Sequence, residues 1–215
     1  MPFDLTGAPL ISNFIGRSEE LEEMKDLLLP SIDAKKQKVL ILHGLGGIGK
    51  TQLSLEYARV HRNDYSAIFW VTGKTRESLR QGFVRIAERI QLPDVLENRR
   101  LQSSEDRISN TIQSVKRWLA QPDNFHWLLI LDSIDAQELD LPNAGIPIGA
   151  DEAGCTKYDA RPYFQIIAQG TVIITTRLPD VAAIGVSLEI KRIAIEEDNI
   201  AILCGPSNLA SNAER

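Results

Sequence analysis

A glycine cluster set between a strand pattern and a helix pattern constrains this chain more than any other feature. Residues 38–43, "KVLILH", are apolar and partly β-branched, and residues 44–51, "GLGGIGKT", satisfy Gly-x-x-x-x-Gly-Lys-[Ser/Thr] in full. At ordinary residue frequencies this pattern arises by accident in about one chain in a hundred of such length. The flanking strand and the helix-like "QLSLEYA" after it lower that figure further. Glycines let a backbone wrap closely around phosphates and turn successive N–H groups inward. The positive end of the following helix adds to the attraction. The residues expected to form the cradle are Leu45, Gly46, Gly47, Ile48, Gly49, Lys50, Thr51 and Gln52. The Leu45 and Ile48 side chains are expected to pack beneath the loop. Lys50 is expected to reach the β- and γ-phosphates, and the Thr51 hydroxyl to be a Mg²⁺ ligand.

Short β-rich runs alternate with longer helical periods along the rest of the chain, which predicts an α/β fold with helices on both faces of a parallel sheet. The candidate strands are residues 38–43, 67–72, 127–132, 171–176 and 187–191. Runs such as "LLIL" and "VIITT" are apolar without alternation, as strands buried on both faces must be. Leu79, Phe83, Ile86 and Ile90 line one face of a helix from about Thr75 to Gln91. Ile108, Ile112, Val115 and Leu119 line another from Ser104 to Ala120, with Ser103 and Asp106 as a capping box. Both stripes read as core. Residues 140–162, rich in Gly, Pro, Asp and Ala, read as a long surface loop, and the stretch after Pro93 as a loop or short turn. Three regions are expected: a linker over 1–13, a phosphate-loop domain over 14–191, and over 192–215 the truncated start of a further helical unit with a frayed tail.

A phosphate loop calls for a second element, an apolar strand ending in an Asp that holds Mg²⁺. "WLLILDSID" supplies it, with Asp132 at the strand end. Fast ATPases of this kind carry a Glu after that Asp to polarise water, and here the position is Ser133, a poor base near neutral pH. Asp135 could substitute if the turn returns it to the γ-phosphate, and otherwise serves as a turn or cap residue. Arg177 closes the buried strand "TVIITT", at the sheet end where such folds bind ligands. There a bidentate contact would tell ATP from ADP, the other reading being a surface or salt-bridged arginine.

The net charge of −5 weighs against a surface that coats nucleic acid. The two cysteines, Cys155 and Cys204, have no metal or redox spacing, which suits a reducing compartment. With no signal-peptide pattern and no apolar run long enough for a bilayer, the expectation is a cytoplasmic protein without membrane or nucleic-acid partners.

The order of these pieces resembles the NB-ARC domain, the nucleotide-binding module of STAND-class signalling ATPases. "FIGRSEEL" resembles its apolar-apolar-Gly-Arg motif and "GLGGIGKT" its phosphate loop. "IFWVTG", "LLILDSID" and "VIITTR" resemble its later strands, and "WVTGKTRESLRQGFVRIA" resembles fungal NOD-like receptors most. The resemblance implies a P-loop NTPase of the additional-strand class, a three-layer, doubly wound α/β fold on a five-stranded parallel sheet with the phosphate-loop strand near its middle. It implies that Phe14, Ile15 and Arg17 line the adenine and ribose end, and that Arg177 senses the γ-phosphate. Asp132 and Asp135 join Arg177 as the candidate catalytic groups. It further implies ATP or ADP with Mg²⁺ as cofactors and a switch in which exchange of ADP for ATP permits oligomerisation of the full-length receptor. No Gly-Leu-Pro-Leu motif, winged-helix region, effector domain or C-terminal repeat is legible, so the chain is expected to be a nucleotide-binding fragment of a receptor whose other domains are its partners. Two alternatives stand beside this reading: an active AAA-like remodelling ATPase, and a nucleotide-free interaction module.

Overall fold

The computed structural model describes residues 3–10, 14–29, 36–92, 103–135, 158–164, 168–179 and 184–192. The expected loop is outside this set except for 158–162, as is the helical unit beyond 192, both cysteines, and the turn after Leu92. The chain runs β1 (Phe3–Asp4), α1 (Ser18–Leu28), β2 (Lys38–His43), α2 (Lys50–Val60), β3 (Ala67–Thr72), α3 (Arg76–Arg89), α4 (Ser104–Leu119), β4 (Trp127–Asp132), β5 (Thr171–Thr176) and β6 (Val186–Glu189), with single 3₁₀ turns at Arg62–Asp64 and Arg161–Tyr163.

The strands form one parallel sheet in the order β1-β3-β4-β5-β2-β6. β5 lies between the phosphate-loop strand β2 and the acidic strand β4, so it is the additional strand of this class. All five expected strands are present, and β1 adds a sixth along β3 within the stretch read as a linker. Two residues are too few for a period-2 pattern to register. β2 sits next to the β6 edge, not near the middle as the resemblance implies; the centre belongs to β4 and β5.

Burial follows that order. Every residue of β4 and β5 is buried, whereas the edge strand β6 is largely exposed. Alternate side chains feed two layers. Phe69, Val71, Leu129, Leu131, Val172 and Ile174 join Leu79, Phe83 and Ile86 of α3 and Ile112, Val115 and Leu119 of α4. Ile68, Trp70, Leu128, Ile130 and Ile173 face the other way, onto Met24 and Leu28 of α1 and Leu53 and Tyr57 of α2. Both stripes predicted as core are core, with Ile90 and Ile108 at its margin. The Ser103 hydroxyl accepts from Asp106 N at 3.1 Å, and a reciprocal box forms between Thr75 and Ser78 at the start of α3.

Candidate nucleotide site

The phosphate loop leaves β2 through Gly44, whose φ is +142°. A Cβ there would come within 2.5 Å of the Ile190 carbonyl oxygen, so the tight exit requires glycine. Gly47 and Gly49 are also left-handed, at φ 74° and 99°. Gly49 caps α2 without any side-chain cap, which leaves the first-turn N–H groups available to an anion. Ile48 packs against the α1/α2 core layer as expected. Leu45 does not: it is 62% exposed, because the loop turns outward before Ile48 returns to the core. Gln52 is exposed on the first turn of α2.

Lys50 is buried and folds over its own loop, with Nζ donating to the carbonyl oxygens of Gly44 (2.9 Å) and Leu45 (2.8 Å). Burial lowers its pKa; the nearby Asp135 and Asp132 carboxylates oppose that and Arg177 adds to it. A charge held by two carbonyl dipoles in a desolvated loop gains from an arriving phosphate.

β5 brings the ends of β2 and β4 together. Thr51 donates to Asp132 Oδ1 at 2.7 Å, and the fully enclosed Thr175 hydroxyl donates to the same oxygen at 2.7 Å. Thr175 Oγ1 also accepts from Ser133 N at 2.9 Å, while Ser133 Oγ donates to Asp132 Oδ2 at 3.1 Å. Three hydroxyls thus hold one carboxylate. Ser133 takes a left-handed φ of 63°, sparsely populated for a non-glycine residue and often found at sites. Sequence reasoning assigned Thr175 no role; its one signal is a hydroxyl directly after the apolar run Val172, Ile173 and Ile174 of β5.

Asp135 does return toward the loop, and there it engages Arg177. Its Oδ1 accepts from Arg177 N at 2.6 Å and its Oδ2 from Arg177 Nε at 2.7 Å. The register that pairs His43 with Thr176 sets Arg177 beside the loop, its Cδ 3.6 Å from where a Gly46 Cβ would stand.

On the other flank, Arg17 is left-handed at φ 61° with a side chain only 5% exposed. It donates to Ile48 O at 2.7 Å, to Lys191 O at 3.0 Å and to Glu20 at 2.7 Å. Phe14 packs on the α1/α2 layer, and Ile15 is half-buried beside it in the chain. The loop, Lys50, Thr51, Asp132, Asp135, Arg177 and Arg17 therefore share one end of the sheet. Among the described residues no cluster of three or more His, Cys, Asp or Glu could hold a metal unaided.

This architecture matches a known domain: the signature of the NB-ARC domain covers residues 17–157, more than half of the chain. The chain belongs to the NB-ARC family. NB-ARC domains are P-loop NTPase domains, and nucleotide binding is their function class. A nucleotide-binding leucine-rich repeat (NLR)-like protein of Hyaloscypha variabilis is 29% identical over 168 residues, which are 77% of this chain and 16% of that protein. The NB-ARC chain thus spans about a sixth of that relative's length. Among solved structures it resembles Cdc6p of Pyrobaculum aerophilum (TM-score 0.53, 14% identity, 93% of this chain and 51% of that one). It also resembles the Drosophila ORC bound to DNA (TM-score 0.55, 16% identity, 94% and 49%). The ORC1 protein of Aeropyrum pernix in complex with DNA is similar too (TM-score 0.55, 19% identity, 90% and 49%). At such identities these likenesses show the fold. No helix among the described residues is long and apolar enough to cross a membrane.

Proposed function

We propose that this NB-ARC chain is the Mg²⁺-dependent, ATP- and ADP-binding switch domain of a cytoplasmic NOD-like receptor, with slow or negligible hydrolysis on its own. The observation that carries the reading is the pairing of a complete phosphate loop with Ser133 beside Asp132, where a fast ATPase needs a carboxylate base. Asp135, the substitute base, has both oxygens engaged by Arg177. Thr51 and Asp132 meet as a hydroxyl and a carboxylate at 2.7 Å, a hard-oxygen pair suited to Mg²⁺. When bound, Mg²⁺ offsets the phosphate charge.

Within this reading the loop amides and Lys50 hold the phosphates, and Lys50 trades its two carbonyl partners for phosphate oxygens. Arg177 reports the γ-phosphate. Phe14, Ile15 and Arg17 border the adenine and ribose. The contact of Arg17 with the loop at Ile48 and with the chain exit at Lys191 supports that assignment. In the full-length receptor, exchange of ADP for ATP would release contacts with neighbouring domains and allow oligomers to form.

Titration calorimetry with ADP and ATP in Mg²⁺ tests the reading, and Lys50→Ala is expected to abolish binding. Single-turnover hydrolysis is expected below about one per second, the low end of ordinary enzymes. Robust turnover would favour a remodelling ATPase. The absence of any nucleotide-induced rise in melting temperature, which mass action otherwise demands, would favour an interaction module without nucleotide.

A further inference from the structure

Asp135 stands at the end of a segment that continues alongside β5. Ser133 N donates to Thr175 Oγ1 at 2.9 Å, Ile134 N to Thr175 O at 2.9 Å, and Thr176 Oγ1 to Ile134 O at 2.7 Å. The backbone that carries Asp135 is therefore anchored residue by residue to the strand that carries Arg177. From that anchor the carboxylate grips the arginine twice, at its backbone N–H and at Nε–H. Among the described residues the two terminal guanidinium nitrogens have no partner, and the side chain is 63% exposed beside the loop.

An ion pair this exposed adds little to stability. Its consequence is for the arginine's freedom: a long side chain loses rotamer entropy when it meets a ligand, and prior restraint removes part of that cost. An arginine held by Nε keeps its planar fork of terminal N–H groups for a phosphate. We propose that Asp135 is a positioning residue that holds Arg177 beside the phosphate loop and thereby sets the preference of the site for a nucleoside triphosphate over a diphosphate. The proposal rests on the nucleotide-switch reading above and replaces the role of Asp135 as a substitute base.

Charge alone predicts the opposite sign. Removing a carboxylate from a site that also holds Asp132 would favour the more negative triphosphate, whereas loss of a positioning group weakens it selectively. Titration calorimetry in Mg²⁺ with ADP and a non-hydrolysable ATP analogue separates the two, using wild type, Asp135→Ala, the near-isosteric Asp135→Asn, Arg177→Ala and the double variant Asp135→Ala/Arg177→Ala. Asp135→Ala is expected to weaken the analogue about tenfold, within the range of a hydrogen bond to a charged group, with ADP within about twofold. Asp135→Asn, which keeps one acceptor, is expected to fall between it and wild type. The double variant is expected to bind the analogue no more weakly than Arg177→Ala, since coupled residues are not additive. An unchanged ratio, a shift toward the triphosphate, or additive losses in the double variant would overturn the proposal while ADP binding upholds the nucleotide reading. If wild type binds neither ligand, both fail.

Discussion

At their amino ends β4 and β5 close upon themselves, whereas at their carboxyl ends the same two strands present hydroxyls and charges to a loop. At the amino ends Trp127 is fully buried and its Nε1 donates to Leu119 O at 3.0 Å. Gln169 Nε2 donates to the carbonyls of Leu119, Gln121 and Asn124 at 2.6 to 3.0 Å. Gly170 lies under the indole ring with φ +82°. Each named donor there is satisfied within the fold. At the other end of the same strands the side chains are Asp132, Thr175 and Thr176, joined by the left-handed Ser133 and the folded-back Lys50. At the amino end of β5 the left-handed backbone falls to Gly170, while at the carboxyl end it falls to Gly44, Gly47 and Gly49 and is imposed on Ser133 and Arg17 as well. Strain on residues that resist it is tolerated where the surroundings over-determine it, and such places cluster at sites.

The sharpest way to break this comparison is at the amino end. Gly170→Ala combines a left-handed φ with a Cβ 2.2 Å from Trp127 Cε2. It is expected to cost about 2 to 4 kcal/mol and to lower the melting temperature by roughly 10 °C. Nucleotide affinity of the folded fraction should not change, as calorimetry of both properties will show. A loss of affinity would mean that the two ends are not separable.

At the carboxyl end the expected effect is smaller. Thr175→Val keeps the shape but takes one donor from Asp132 and the acceptor from Ser133 N–H. The expected loss is about 1 to 2 kcal/mol in denaturant unfolding, mostly recovered in Thr175→Ser. Equal stability of the valine and wild-type proteins would show that the hydroxyl network does not hold this end together.

The smallest effect concerns Lys50 in the ligand-free protein. Its folded pKa lies below the unfolded value of 10.5 because it is buried. Between the two values the unfolded chain binds more protons, so this group makes stability rise with pH. Wild type should therefore gain on Lys50→Met as pH rises toward 10.5, read from melting temperatures. Parallel curves would remove burial as the dominant influence on this lysine.

The bounds of β2, β3, β4 and β5 were fully legible, because long apolar runs without alternation specify strands covered on both faces. The stripes of α3 and α4 were equally plain. The two-residue β1 was not, and neither was the exposure of Leu45, which depends on how the loop bends away from the core. The site was legible in its parts: the glycines, Lys50, Thr51, Asp132 and Arg177 all share one end of the sheet. Thr175 was missed because its importance comes from a partner 43 residues away. The partners of Arg17 are also remote, with Lys191 separated from it by 174 residues.

By itself the sequence determined which segments become strands and helices, and that one loop has the composition to hold phosphate. Those properties depend on local periodicity and on backbone freedom within a few residues. Tertiary structure decided what the charged groups face. With β5 inserted between β2 and β4, Leu131 pairs with Ile174 and His43 with Thr176. That register brings Thr175 to Asp132 and Arg177 to both Asp135 and the loop. Strand order is set by packing over the whole chain, and no local pattern encodes it.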